Sequence, residues 1–234
     1  ASEQRYGFGF NQMTILQELE HLFVSIMSVE AVYENMMALK HWDLHSYLHS
    51  LDVFMLGHLL GKSIGVSDLS NFSIGCLIHD IGKLKVPRKI LNKREELTRN
   101  EIDQIQQHPV HGCDLVRRMG LQDEFATLAK SHHERLDGSG YPEGLHRDEL
   151  DTRIRVLAIV DVFSALTLKR TYRDPIPAAD ALGMLLEDTG KFDANIVRSF
   201  AEALHIFPPG AKVMLSDGTE GVVTYADPYI LTRR

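Results

Sequence analysis

The sequence predicts an all-α fold, a helical bundle ending in a small C-terminal β-hairpin appendage. Apolar residues recur every three or four positions through most of the 234 residues, the period of a helix with one buried face. Helix-boundary signals punctuate these stretches, among them a capping box at Thr98-Arg99-Asn100-Glu101 and Pro109 at a helix opening. Only the tail changes character. There Lys212–Ser216 and Thr219–Val223 flank Asp217-Gly218, a pair that favours a two-residue hairpin turn.

The elements follow in order. From Met13 to about Leu39, the residues Ile15, Leu16, Leu19, Leu22, Phe23, Ile26 and Met27 trace an apolar stripe, and the spacing predicts one long helix. That stripe serves core packing or a homodimer contact. A second helix is expected from Leu44 to Ile64, closed by Gly65. A third runs from Leu69 to His79 and stops near Gly82, before Pro87. The capping box starts a short helix toward His108, and the helix opened by Pro109 places Val110, Leu115, Val116 and Met119 inward. Another helix leads into His132-His133. The segment Arg135–His146 holds Gly138, Gly140, Gly144 and Pro142 and reads as a loop. A strongly apolar helix is expected from Arg153 to Lys169, then helices over Pro177–Glu187 and Asn195–Leu204. The organisation is thus a leading helix (1–40), a main helical domain (41–207) and the hairpin (208–234).

Composition excludes several function classes. A net charge of −7 argues against broad DNA or membrane-surface binding, so an anionic substrate needs a few local cations or bound metal. No uninterrupted apolar run reaches the ~18 residues of a membrane span. The opening Ala1-Ser2-Glu3-Gln4-Arg5 has no apolar signal core and no Met, as expected of a segment from a longer protein. Cys76 and Cys113 are too few for a disulfide framework, which points to a cytoplasmic setting.

The chemistry lies in the histidines and aspartates. There are 12 histidines, and their positions matter because imidazole is a common ligand and acid/base group. His79-Asp80 closes an apolar helical stretch, with Lys83 three residues on as a salt-bridge partner or phosphate-binding charge. Asp161 sits inside Val156–Leu166, apolar on every face, where a carboxylate calls for a strongly charged partner. His132-His133 adds two adjacent nitrogens whose ~100° angular offset suits the breadth of a two-metal centre. His108 lies at a helix boundary, and His49 falls one turn after His45. Taken singly, each histidine is as well explained by a structural role. Together, mixed imidazole and carboxylate donors suit Fe, Mn or Zn. Arg170 and Arg173, after Asp161, match phosphate geometry, though cations also complement a helix end.

These residues resemble the HD-GYP family of HD-domain phosphohydrolases. Three segments carry the likeness: His79-Asp80-Ile81-Gly82-Lys83, then His132-His133-Glu134-Arg135-Leu136-Asp137-Gly138-Ser139-Gly140-Tyr141-Pro142, and Asp161 with Arg170-Thr171-Tyr172-Arg173. The likeness runs from about His49 to Phe207. It implies an HD-domain helical bundle holding divalent iron or manganese and hydrolysing cyclic di-GMP to pGpG or GMP. It further implies metal ligands at His49, His79, Asp80, His108, His132, His133 and Asp161, with Asp80 bridging two ions. Lys83, Tyr141, Arg170 and Arg173 correspond to the substrate-contacting set, and Asp80 and Lys83 to the catalytic pair. Some members carry a Glu one turn before the first ligand histidine, which helps hold a third metal. Here that place is His45, so two metals are expected. Members also commonly follow sensory modules, which leaves room for an upstream sensory domain. The alternatives are an HD phosphohydrolase for another nucleotide such as cyclic GMP-AMP, a non-hydrolysing cyclic dinucleotide receptor, and a diiron sensor.

Overall fold

A computed structural model describes residues 13–169, 174–188, 190–206, 212–214, 219–222 and 224. Eleven α-helices lie among them: α1 (Met13–Met27), α2 (Glu30–Trp42), α3 (Leu44–Ser63), α4 (Leu69–Ile78), α5 (Arg88–Leu91), α6 (Arg99–Ile105), α7 (His108–Arg118), α8 (Asp123–Ser131), α9 (Thr152–Thr167), α10 (Ala178–Glu187) and α11 (Ala194–Leu204). Short 3₁₀ segments cover Ile81–Lys85 and Arg147–Glu149. Strands β1 (Lys212–Met214) and β2 (Glu220–Val222) pair antiparallel, with Lys212 opposite Val222. The expected hairpin is therefore present, while its Asp217-Gly218 turn lies outside the described residues.

The single leading helix expected from Met13 to Leu39 is instead two, bent by 101°. The phase of the apolar stripe explains the break. Ile15, Leu19 and Ile26 are buried on α1, and Val32, Met36 and Leu39 on α2. Six residues, the step from Ile26 to Val32, turn a helix by about 600°, roughly 120° off the starting face, so one straight helix cannot bury both sets. Ser28 marks the corner, its hydroxyl donating to the Ser25 carbonyl at 2.7 Å. No single helix among the described residues is long and apolar enough to cross a membrane.

The other boundaries follow local chemistry. Asp43 caps α3 by accepting from the backbone N–H of His45 and Ser46. Gly65, at φ +70°, carries the chain out of it. Thr98 and Glu101 form the reciprocal capping box of α6.

Helix α3 is the axis of the bundle, packing against α2, α4, α9 and α11. It is buried nearly all round from Val53 to Gly61, as is α9 from Val156 to Val160. The 3₁₀ segment after α4 lies against α7, and Gly82 sets how close they come. A Cβ there would sit 1.9 Å from the His108 carbonyl oxygen and 2.4 Å from Gly112 N. Both obstacles are backbone and cannot swing away. Gly82→Ala is therefore expected to lower the unfolding free energy by about 3 kcal/mol or more. Gly183→Ala, on an α10 face with no atom within 4 Å, should instead add ~0.5–1 kcal/mol. Urea denaturation of both variants checks this, and equal small effects would count against the close contact.

Candidate metal centre

Seven donors converge from five places in the chain. His49 lies within α3 and Asp161 within α9, whereas the others occupy helix ends. His79 is the C-cap of α4, Asp80 follows it, His108 opens α7, His132 is the C-cap of α8 and His133 comes next. All seven except His133 are buried to within a few per cent.

The donor atoms form two groups, Asp80, His108, His132 and His133 in one and His49, His79 and Asp161 in the other. Asp80 joins them. Its Oδ1 lies 3.1 Å from His108 Nε2 and 3.7 Å from His132 Nε2, while its Oδ2 lies 3.7 Å from both His49 Nε2 and His79 Nε2. Asp161 makes a second link that the sequence did not point to. Its Oδ1 faces His49 Nε2 at 2.9 Å and His79 Nε2 at 3.5 Å, and its Oδ2 faces His133 Nδ1 at 3.5 Å. His45, one turn before His49, belongs to neither group.

Hydrogen bonds behind the rings turn them toward the centre. His79, His108 and His132 each place Nδ1 against the carbonyl three residues earlier, those of Cys76, Ile105 and Ala129, at 2.7–2.8 Å. A carbonyl only accepts, so Nδ1 carries the proton and Nε2 presents a lone pair inward. His108 and His132 then bring two such lone pairs within 3.2 Å of each other. His79 Nε2 and Asp80 Oδ1 are buried with no hydrogen-bond partner. Lone pairs held this close and left unpaired in a buried space fit a divalent cation.

Electrostatics agree. Burial raises Asp80, yet Lys83, His79 and the other rings outweigh it and hold the carboxyl well below its usual range. Asp161 is likewise held down, by His49 and His79 against burial. Burial pushes His132 down to about 4 and His133 lower than usual, so both are neutral at pH 7 and able to ligate. For His79 the neighbouring Asp80 and Asp161 overcome burial and raise it.

Of the substrate-contact set, Lys83 is paired with Asp80 Oδ2 at 2.5 Å, one-fifth exposed. The salt-bridge role is thus observed. Tyr141 stacks on His133, ring centroids 4.7 Å apart, and burial raises its phenol so that it stays protonated. Arg170 and Arg173 lie outside the described residues.

Sequence reasoning missed three supporting groups. Glu134 is buried and accepts from the backbone N–H of Glu143 at 2.7 Å and Leu145 at 2.9 Å, stapling the loop beneath His133. Arg135 donates to the Glu134 carbonyl and lies over the Phe192 ring. Asp52 and Ser164 stand behind His49. Their spacing was available as a signal, since each lies three residues after a ligand candidate on the same helix face. A Cβ at Gly140 would meet Glu134 Cα at 2.4 Å, so its smallness serves packing just past the end of α8.

The HD domain family matches residues 33–196. The chain is 33% identical over 208 residues to cyclic di-GMP phosphodiesterase PA4108 of Pseudomonas aeruginosa, covering 88% of this chain and 50% of that protein. It is 34% identical over 175 residues to 3'3'-cGAMP-specific phosphodiesterase 1 of Vibrio cholerae, covering 73% and 40%. The chain thus spans half or less of the length of these relatives. Among solved structures, Bd1817, an HDG"Y"P protein from Bdellovibrio bacteriovorus, superposes with a TM-score of 0.58 at 19% identity, over 82% of this chain and 69% of that one. The HD domain of the Listeria monocytogenes phosphodiesterase PgpH, in complex with cyclic di-AMP, gives 0.58 at 18% identity over 73% and 93%. At these identities the likeness is one of fold.

The depressed histidines yield a pH prediction for the metal-free protein. His132 takes its proton near pH 6.5 when unfolded but only at about 4 when folded. Between those values the unfolded state binds more protons, so stability falls as pH falls. His79, which is raised, acts with the opposite sign. His132→Gln removes one of the destabilising uptakes, so its urea stability should fall less steeply from pH 6.5 to 4 than that of the wild-type chain in chelator. Parallel curves would show that His132 titrates normally.

Proposed function

The chain belongs to the HD-domain family, in its HD-GYP group, and on that premise we propose that it is a metal-dependent phosphodiesterase that hydrolyses cyclic di-GMP. One observation supports this above the others. Two donor groups are joined by the two oxygens of one buried aspartate, with a lysine and a loop tyrosine at the open side. Divalent ions bound there would supply Lewis acidity and an activated water for attack at phosphorus.

This chain's own residues do the rest. His49, His79 and Asp161 would hold one ion and His108, His132 and His133 the other, with Asp80 shared. The Nδ1 hydrogen bonds keep the Nε2 lone pairs fixed on the centre, so little reorganisation accompanies binding. Lys83 is partly exposed and offers its ammonium to a phosphate oxygen as well as to Asp80. The protonated Tyr141 phenol is able to donate to the same phosphate. Arg170 and Arg173 complete the anion-binding set in this reading, which a chain of net charge −7 needs locally. Iron or manganese fits the mixed donors. His45 standing outside both donor groups supports two ions rather than three in this reading. A cytoplasmic setting and an upstream sensory module belong to the same reading.

A second substrate has a specific observation in its favour. The relative named for 3'3'-cGAMP is as similar to this chain, at 34%, as the one named for cyclic di-GMP, at 33%. Both molecules present the same phosphodiester to the metals and differ at a base.

Incubation with each dinucleotide, with and without Fe(II) or Mn(II), and chromatography of the products tests the proposal. Metal-dependent release of pGpG or GMP from cyclic di-GMP is expected, at a higher kcat/KM than for 3'3'-cGAMP. Asp80→Ala should lose bound metal and activity together. Lys83→Met should keep the metal and lose about a hundredfold in kcat. A metal-loaded protein that binds but never cuts would make it a receptor.

A further inference from the structure

We propose that Asp52, acting through Ser164, is a positioning residue that fixes the tautomer and donor strength of His49. The inference deepens the metal-dependent reading above and rests on it.

The three side chains are buried, with relative exposures of 2% for Asp52, 0% for Ser164 and 4% for His49. Asp52 follows His49 by three residues on α3, and Ser164 follows Asp161 by three on α9. Each pair shares a helix face, so two short rows meet between the helices. His49 Nε2 faces Asp161 Oδ1 at 2.9 Å, and Ser164 Oγ faces Asp52 Oδ2. A diagonal bond joins the rows, His49 Nδ1 to Ser164 Oγ at 2.9 Å.

The direction of this chain follows from counting protons. A carboxylate only accepts, so the single hydroxyl proton of Ser164 goes to Asp52. Ser164 Oγ then meets His49 with a lone pair, and His49 Nδ1 must be the donor. Its Nε2 faces Asp161 Oδ1 at 2.9 Å, and with a cation bound it would present its lone pair to the centre. Three of the other four rings, His79, His108 and His132, reach that state by donating to a carbonyl near the C-terminal end of α4, α6 and α8. His49 has no such option. It lies inside α3, where the helix ladder uses the nearby carbonyls, so its acceptor comes from α9. An uncharged hydroxyl could equally turn and donate to His49, selecting the wrong tautomer. The charge of Asp52 prevents this and, relayed through the hydroxyl, makes the ring a stronger donor.

The test uses the full chain and Zn(II) as the probe. Long-range nitrogen NMR of the imidazoles in metal-free protein at pH 8 reads the His49 tautomer, assigned through loss of its signals in His49→Gln. The wild-type chain is expected to keep Nδ1 protonated, and Asp52→Asn to show a mixture with a form protonated on Nε2 alone, facing Asp161. Competition with a chromophoric chelator reads the affinities. In Asp52→Asn and Ser164→Ala, one zinc equivalent should weaken about tenfold to a hundredfold while the other is unchanged. An unaltered tautomer, two unaltered affinities or equal loss of both equivalents would overturn the relay. If Asp52→Asn does not fold, Ser164→Ala decides by the affinity criterion alone. A wild-type chain that shows Nδ1–H yet binds no zinc refutes the metal-dependent reading and leaves the tautomer claim standing.

Discussion

Two ionised carboxylates, Asp80 and Asp161, lie in the middle of a helical core, and the architecture around them is organised by that fact. Burying one such charge without compensation costs several kcal/mol. Lys83 pairs with Asp80, and five histidines surround the two carboxylates. The arrangement is unusual in what it leaves over. Backbone carbonyls take the outer nitrogens of three rings, so the inner nitrogens face the carboxylates and one another as acceptors. Acceptors facing acceptors are stable only around positive charge. The site therefore selects cations by the same bonds that hold it in shape.

The helices supply this geometry in two ways. A ligand beside a helix C-terminus borrows its orientation from the carbonyls left open there, those of α4 for His79, α6 for His108 and α8 for His132. A ligand inside a helix has no such support. His49 and Asp161 depend on the packing of α3 against α9, and their partners Ser164 and Asp52 cross between those helices. Part of the centre thus rests on local structure and part on tertiary contact. Gly82 acts on the first part, because the approach of α7 to the segment after α4 sets where His108 stands relative to Asp80.

Much of this was legible in the sequence, for physical reasons that differ by element. Helices with a clear boundary signal, such as α3 with Gly65 after it and α6 with its capping box, were readable to within a few residues. The leading pair was not, because a change in stripe phase without Gly or Pro leaves no composition signal. Asp161 announced itself as a charge in an apolar helix. His79-Asp80 and His132-His133 needed the resemblance, since an imidazole near a helix end has many ordinary uses. Asp52 and Ser164 stayed hidden because a buried Asp and a small hydroxyl become informative only when the opposite helix is in place.

The segment from His132 to Pro142 is a specific signature, and the structure indicates why. Few of its residues face the centre. His132 and His133 do, and Tyr141 stacks on the second ring. The others build the support: Glu134 holds two backbone N–H groups of the loop, Arg135 caps carbonyls and lies over Phe192, and Gly140 packs against the end of α8. A metal pair needs only donors at the right separation, which many unrelated sequences can provide. Presenting a tyrosine beside one particular ligand ring needs a loop of fixed path, and a fixed path needs specific residues at most of its positions. The length of the motif therefore reflects the cost of placing one side chain beside a candidate ligand ring.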